Sequence, residues 1–163
     1  MTRIVAGAAK GRVLKVPPSG TRPTSEKVRE ALFSSLEHRG FIEGCEVLDL
    51  YAGSGALGIE AASRGASYVE CVEFAPKAAQ FIRTNAEGLS VTVAHQKAES
   101  WVKLPPNRAY DLVFLDPPYD LPEEKLAEVL AGLLPHLAHD AAILVERSSR
   151  SPQPAWQDGI ELK

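Results

Sequence analysis

The 163-residue sequence predicts an α/β domain, a doubly wound and mostly parallel sheet, preceded by a short β-hairpin. Two observations carry this reading. From Glu46 onward, near-continuous apolar runs alternate with stretches of helical spacing, the pattern of parallel strands covered on both faces. Two of those runs, Val47–Leu50 and Leu112–Leu115, end in loops of acidic, Gly or Pro residues. Sheets of this kind bind ligands beyond the carboxyl ends of their strands, where the strand order reverses.

In chain order, Ile4–Ala6 and Arg12–Val16 read as short strands around a turn at Gly7–Gly11. Pro17-Pro18-Ser19-Gly20 ends them, and Thr21–Ser25 leads into a helix. Thr24 or Ser25 caps that helix, Glu26 suits its first turn, Val28, Ala31, Leu32, Ser35 and Leu36 form its inner stripe, and Gly40 stops it. Glu46–Tyr51 is strand-like, and a Gly-rich turn then opens a helix to about Arg64. Tyr68–Val72 is a strand and Pro76–Glu87 a helix, with Pro76 suited to its first position. Val91–Ala94, Asp111–Leu115 and Ala141–Val145 complete five strands, with helices at Glu99–Leu104 and Glu123–Leu134 between them. Residues 148–154 are loop-like, and Gly159–Lys163 begins a sixth strand.

Composition is that of a globular protein, 45% hydrophobic and 24% charged, with no apolar run near the roughly 18 residues that span a bilayer. The opening residues meet Lys10 and Arg12 too soon for a signal peptide, so a cytoplasmic protein without membrane contact is expected. Cys45 and Cys71 suit small buried positions. His38, His95, His136 and His139 read as surface or helix-end residues, and no metal site is expected. The net charge of −3 is unevenly spread. Seven basic residues against Glu26 give residues 1–29 a charge of +6, and 11 basic against 20 acidic residues give the remainder −9. Such asymmetry suggests a basic arm that meets polyanion, joined to a body that does not.

Gly53-Ser54-Gly55-Ala56-Leu57-Gly58 is a G-x-G-x-x-G loop, a pattern best known from dinucleotide binding. Glu73, at a strand end about 20 residues on, is placed to bind ribose hydroxyls, so an NAD-dependent oxidoreductase is a genuine rival. Asp49 decides between them, because a pyrophosphate on this turn meets an unfavourable carboxylate there. S-adenosylmethionine (SAM) carries an ammonium and a sulfonium instead, and amides at the helix start can hold its carboxylate. Tyr51, Gly53, Ser54 and Gly55 therefore join Asp49 and Glu73 as expected cofactor residues, with Ala98 a small residue to flank the adenine.

Asp116-Pro117-Pro118-Tyr119 suits the acceptor side of methyl transfer. The lone pair of an exocyclic amine is delocalised into its ring. Two acceptors on its N–H bonds, here the Asp116 carboxylate and the Pro117 carbonyl, can rotate it and localise that lone pair. Consecutive prolines hold the carbonyl rigidly, and Tyr119 can stack on the base. Asp116 also stabilises positive charge as it arrives on the amine.

The sequence resembles the RsmD family, bacterial methyltransferases of a guanine N2 in 16S ribosomal RNA. The likeness lies in Arg3-Ile4-Val5-Ala6-Gly7, Lys10-Gly11-Arg12, Thr21-Arg22-Pro23-Thr24, Lys27–Phe33, Asp49–Gly55 and Asp116–Tyr119. The last motif is shared with DNA amino-methyltransferases, and the basic N-terminal segment narrows the match. The resemblance implies a Rossmann-like SAM-dependent methyltransferase fold over residues 25–163, and an RNA-contacting hairpin arm over residues 1–24 with Arg3, Lys10, Arg12, Arg22 and Thr24. It implies SAM as cosubstrate and 16S rRNA in the small subunit or its assembly intermediate as substrate; a monomer is expected. Two departures stand out: Ala75 where a capping residue is commoner, and no Tyr-Gly-Asp-Thr-like last strand before Lys163. The alternatives are a DNA adenine-N6 or cytosine-N4 methyltransferase, for which there is no separate target-recognition domain, or a non-catalytic RNA-binding assembly factor.

Overall fold

A computed structural model describes residues 2–17 and 25–146. Arg22, Thr24, the expected 148–154 loop and the expected strand at Gly159 lie outside the described residues. In order the elements are β1 (Thr2–Arg3), β2 (Val13–Leu14), α1 (Glu26–His38), β3 (Glu46–Leu50), α2 (Ala56–Ser63), β4 (Tyr68–Val72) and α3 (Pro76–Asn85). They continue with β5 (Val91–Ala94), α4 (Ala98–Trp101), β6 (Tyr110–Leu115), α5 (Glu123–Leu133), a 3₁₀ turn and β7 (Leu137–Val145).

The sheet is five-stranded, in the order β5-β4-β3-β6-β7, and every pairing is parallel. Its strands read as continuous apolar runs because both faces are covered. On one face, Phe33 and Leu36 of α1, Ile59 of α2 and Ile82 of α3 pack on Val47, Leu112 and Phe114. On the other, Trp101 of α4 and Leu126, Val129, Leu130 and Leu133 of α5 pack on Leu48, Leu50, Val113 and Leu115. The chain winds outward from β3 through β4 to β5, then returns to β6 beside β3. The switch point therefore lies between the two strands that carry the motif loops.

Two expectations are corrected. The hairpin strands are two residues each, not Ile4–Ala6 and Arg12–Val16. The amides of Val5 and Ala6 donate instead to the Glu60 carboxylate (2.9 and 3.1 Å), which draws that segment onto α2. The inner face of α1 is Arg29, Phe33 and Leu36, while Val28 is 56% exposed. Arg29 can be fully buried because it donates to the Arg3 carbonyl and lies 3.9 Å from the buried Glu60. His136 sits at a helix end, closing the 3₁₀ turn, yet it is buried, its ring 4.6 Å from that of Trp101.

The hairpin is thus a layer of the domain. Ile4, Ala9 and Leu14 join the core, Ala9 N donates to Ser63 Oγ (2.9 Å), and Ala8 N donates to the Ser63 carbonyl (2.8 Å). Gly7 makes this approach possible: its φ is +91°, and a Cβ there would lie 2.0 Å from Ser63 O.

Candidate active site

Register brings the motifs together. Leu50 lies opposite Val72 and Leu115, and Leu115 opposite Val145. The first residues beyond β4, β3, β6 and β7 are therefore Glu73, Tyr51, Asp116 and Glu146, in one row across the sheet. A cleft of about 1080 Å³ opens above this row, lined by Pro17, Tyr51, Gly53, Glu73, Phe74, Lys77, Lys97 and the Asp116–Asp120 loop.

The loop after β3 takes left-handed backbone at Tyr51 (φ 59°), Gly53 (61°) and Gly55 (81°). An aromatic residue in that region costs on the order of 1–3 kcal/mol and persists only where its surroundings impose it. Here the surroundings include Glu73, whose Oε1 accepts from Gly53 N (2.7 Å) and whose Oε2 accepts from Ala75 N (2.9 Å). This second bond satisfies the amide of Ala75, the N-cap residue of α3, whose own side chain makes no capping bond. Glu73 thus ties the Gly-rich loop to the residue before the next helix and lines the cleft.

Of the expected site residues, Tyr51, Gly53, Glu73, Asp116, Pro117 and Tyr119 share the cleft. Asp49, Ser54, Gly55 and Ala98 do not line it. Asp49 is 2% exposed, and its Oδ2 accepts from Gly58 N (3.0 Å), beneath the loop. Ser54 is buried, with its carbonyl taken by Asn85 Nδ2 (3.2 Å). Gly55 is the N-cap residue of α2, packed so that a Cβ would lie 3.1 Å from Ile59 and Ile82. Ala98 is buried in the core at the start of α4.

Electrostatics converge on the cleft floor. Burial pushes the Asp49 carboxyl well up, against the Gly58 amide, and Asp116 and Glu73 add repulsion. Burial, with repulsion from Glu146, raises Asp116 to about 6. A site that crowds carboxylates favours a cation and opposes a pyrophosphate.

Sequence reasoning missed several of these residues. Phe74, 57% exposed on the cleft wall with Lys97 Nζ 5.0 Å from its ring centroid, was signalled by its position after Glu73. Gly58 matters for close approach: a Cβ there would lie 2.8 Å from Cys71 Sγ and 3.1 Å from Asp49 Oδ2. Asn85 had no local signal. It joins the hairpin to the loop by accepting from Lys15 N (2.8 Å) and donating to the Lys15 carbonyl (2.9 Å).

The described basic residues of the hairpin are unequal. Arg3 pairs with Glu26 (2.9 Å), and Arg12 Nη1 donates to the carbonyls of Asn85 (2.9 Å) and Glu87 (2.8 Å) at the end of α3. Lys10 is exposed on the turn.

A profile of the family described as Conserved hypothetical protein 95 matches residues 2–163. Ribosomal RNA small subunit methyltransferase D of Haemophilus influenzae is 38% identical over 160 residues, covering 92% of this chain and 80% of its own. The chain belongs to the RsmD family. The Escherichia coli RsmD relative of the same name is 36% identical over 159 residues, covering 93% of this chain and 77% of its own. A solved structure, a hypothetical protein of Thermus thermophilus, matches with a TM-score of 0.84 and 31% identity, over 94% of this chain and 90% of its own. RsmD membership makes the chain a SAM-dependent methyltransferase, and the doubly wound sheet is the Rossmann-like fold expected of one.

Proposed function

We propose that this RsmD member transfers a methyl group from SAM to the exocyclic N2 amine of a guanine in 16S rRNA, within the small subunit or its assembly intermediate. The observation that carries the proposal is the union, in one cleft, of Glu73 and Gly53 with the Asp116–Tyr119 loop. The residues present fit SAM: a carboxylate for the ribose diol at Glu73, an exposed aromatic for the adenine at Phe74, and a crowded acidic floor for its cationic end. Once bound, SAM supplies an electrophilic methyl on sulfur.

The remaining work falls to this chain. The Asp116 carboxylate and the Pro117 carbonyl accept the two amine N–H bonds and turn the nitrogen lone pair out of the ring. Pro118 fixes φ, so the loop geometry does not have to be found during reaction. Tyr119, 64% exposed, offers its face to the base, worth about 1–3 kcal/mol. As the amine becomes cationic, Asp116 faces the new charge. Alignment of this kind supplies about 7–11 kcal/mol of barrier reduction in well-oriented systems. Lys10 at the turn, with Arg22 and Thr24, is proposed to meet the RNA backbone; Arg3 and Arg12 support the hairpin that carries Lys10. The enzyme is proposed to act as a cytoplasmic monomer.

The test is incubation with methyl-labelled SAM and small-subunit particles lacking the modification, followed by digestion to nucleosides. Label in N2-methylguanosine is expected. Label in another nucleoside would refute the guanine assignment, and only a methyl on an exocyclic nitrogen there would keep amine methylation.

A further inference from the structure

The geometry points to Glu146 as the residue that selects guanine, by accepting the ring N1–H beside the reacting amine. This rests on the guanine-N2 reading above. Glu146 is the first residue beyond β7, as Asp116 is beyond β6, and its amide donates to the Leu115 carbonyl (3.0 Å). The two acids therefore leave adjacent strands at one level. Asp116 lines not only the main cleft but also a second cavity of about 180 Å³, whose other walls include Leu32, Leu57, Phe114, Leu144 and Glu146. Asp116 thus lines both spaces, and it shares the smaller one with Glu146, which is exposed.

This arrangement matches one base edge. Apolar walls suit a base ring, and two neighbouring acceptors suit a row of donors. Guanine presents N1–H next to its exocyclic N2–H bonds, so an acceptor beside Asp116 meets a donor. Adenine and cytosine present a ring-nitrogen lone pair next to their exocyclic amine, and a carboxylate there is repelled. Asp116 with the Pro117 carbonyl accepts any exocyclic amine; Glu146 supplies the discrimination they lack. The electrostatic coupling of Glu146 to Asp116 fits two carboxylates converging on one edge. A hydrogen bond to a charged acceptor is worth about 1.5–3 kcal/mol, roughly tenfold or more in rate.

The test compares guanine with 2-aminopurine, which keeps the N2 amine but carries a lone pair at N1. The methylated position is mapped with the wild-type protein, and small-subunit particles are then reconstituted with either base there. Wild-type protein should prefer guanine by about a hundredfold. Glu146→Gln should lower guanine turnover about tenfold and raise 2-aminopurine turnover, because a carboxamide N–H can donate to N1. Glu146→Ala should lower guanine turnover without that gain. SAM affinity, measured by calorimetry, should be unchanged in both variants. A residue that merely supports the fold would depress both substrates alike, so an unchanged base preference in Glu146→Gln overturns the inference. Failure of the wild-type protein to form N2-methylguanosine would overturn the parent reading instead.

Discussion

Asp116→Asn should yield a more stable and nearly inactive protein. The Asp116 carboxyl is raised to about 6 by burial at the cleft floor and by Glu146. Its unfolded-state value is about 3.9, so between these values the folded protein binds more protons than the unfolded chain. Stability therefore falls as pH rises from about 4 to about 6, and stays at the lower level above that. The full shift corresponds to about 3 kcal/mol, which partial exposure reduces to about 1–2 kcal/mol. Asparagine occupies the same volume without a charge, so at pH 8 the variant should gain that amount. For a domain of this size the gain is about 3–6 °C in Tm. Differential scanning calorimetry at pH 8, 6 and 4.5 reads it directly, and the gap should close toward the acid end, where Asp116 is protonated in the wild type. Single-turnover methyl transfer should fall about a hundredfold or more, since the variant keeps an acceptor but loses the charge that meets the developing cation. The wild-type rate should itself rise with pH through about 6. An Asn variant no more stable than wild type at pH 8, or a gain that persists unchanged at pH 4.5, would refute the reasoning.

Glu73→Ala should weaken SAM binding at least tenfold by calorimetry and lower stability by about 1 kcal/mol, since Gly53 N and Ala75 N both lose their acceptor; unchanged affinity would sink the ribose assignment. Gly58→Ala should cost about 1–3 kcal/mol in urea unfolding, and adding Cys71→Ala should recover part of it by removing the sulfur 2.8 Å from the new Cβ. Arg12→Ala should destabilise by about 1 kcal/mol through the lost carbonyl contacts, whereas Lys10→Ala should leave stability unchanged and reduce the salt slope of RNA binding by about one. If both variants alter only the salt slope, the structural role of Arg12 is wrong.

The sheet was legible because its strands are buried on both faces, and that burial writes itself as unbroken apolar runs: Tyr68–Val72 and Val91–Ala94 have the expected bounds. What escaped were residues whose role depends on a partner distant in sequence. Arg29 in a core face is unintelligible until Glu60 and the Arg3 carbonyl are beside it. Glu73 was read as a ligand for a diol, but its hydrogen bonds to Gly53 and Ala75 need the fold to be seen. Asp49 was legible as an acid before glycines, yet its position under the loop follows from Gly58 letting α2 approach β3.

The row Glu73, Tyr51, Asp116, Glu146 explains why the two motifs need each other. Parallel strands in register deliver one residue each to the same level, so the proposed chemistry, with a cofactor ligand and an amine-binding acid side by side, would be met by placing each at a neighbouring strand end. The same register crowds carboxylates, and Asp49 below feels both Glu73 and Asp116. A pyrophosphate would add to that repulsion, whereas a sulfonium and an ammonium relieve it. The G-x-G-x-x-G pattern leaves the ligand class open; the acids surrounding its turn close it in favour of a cationic methyl donor.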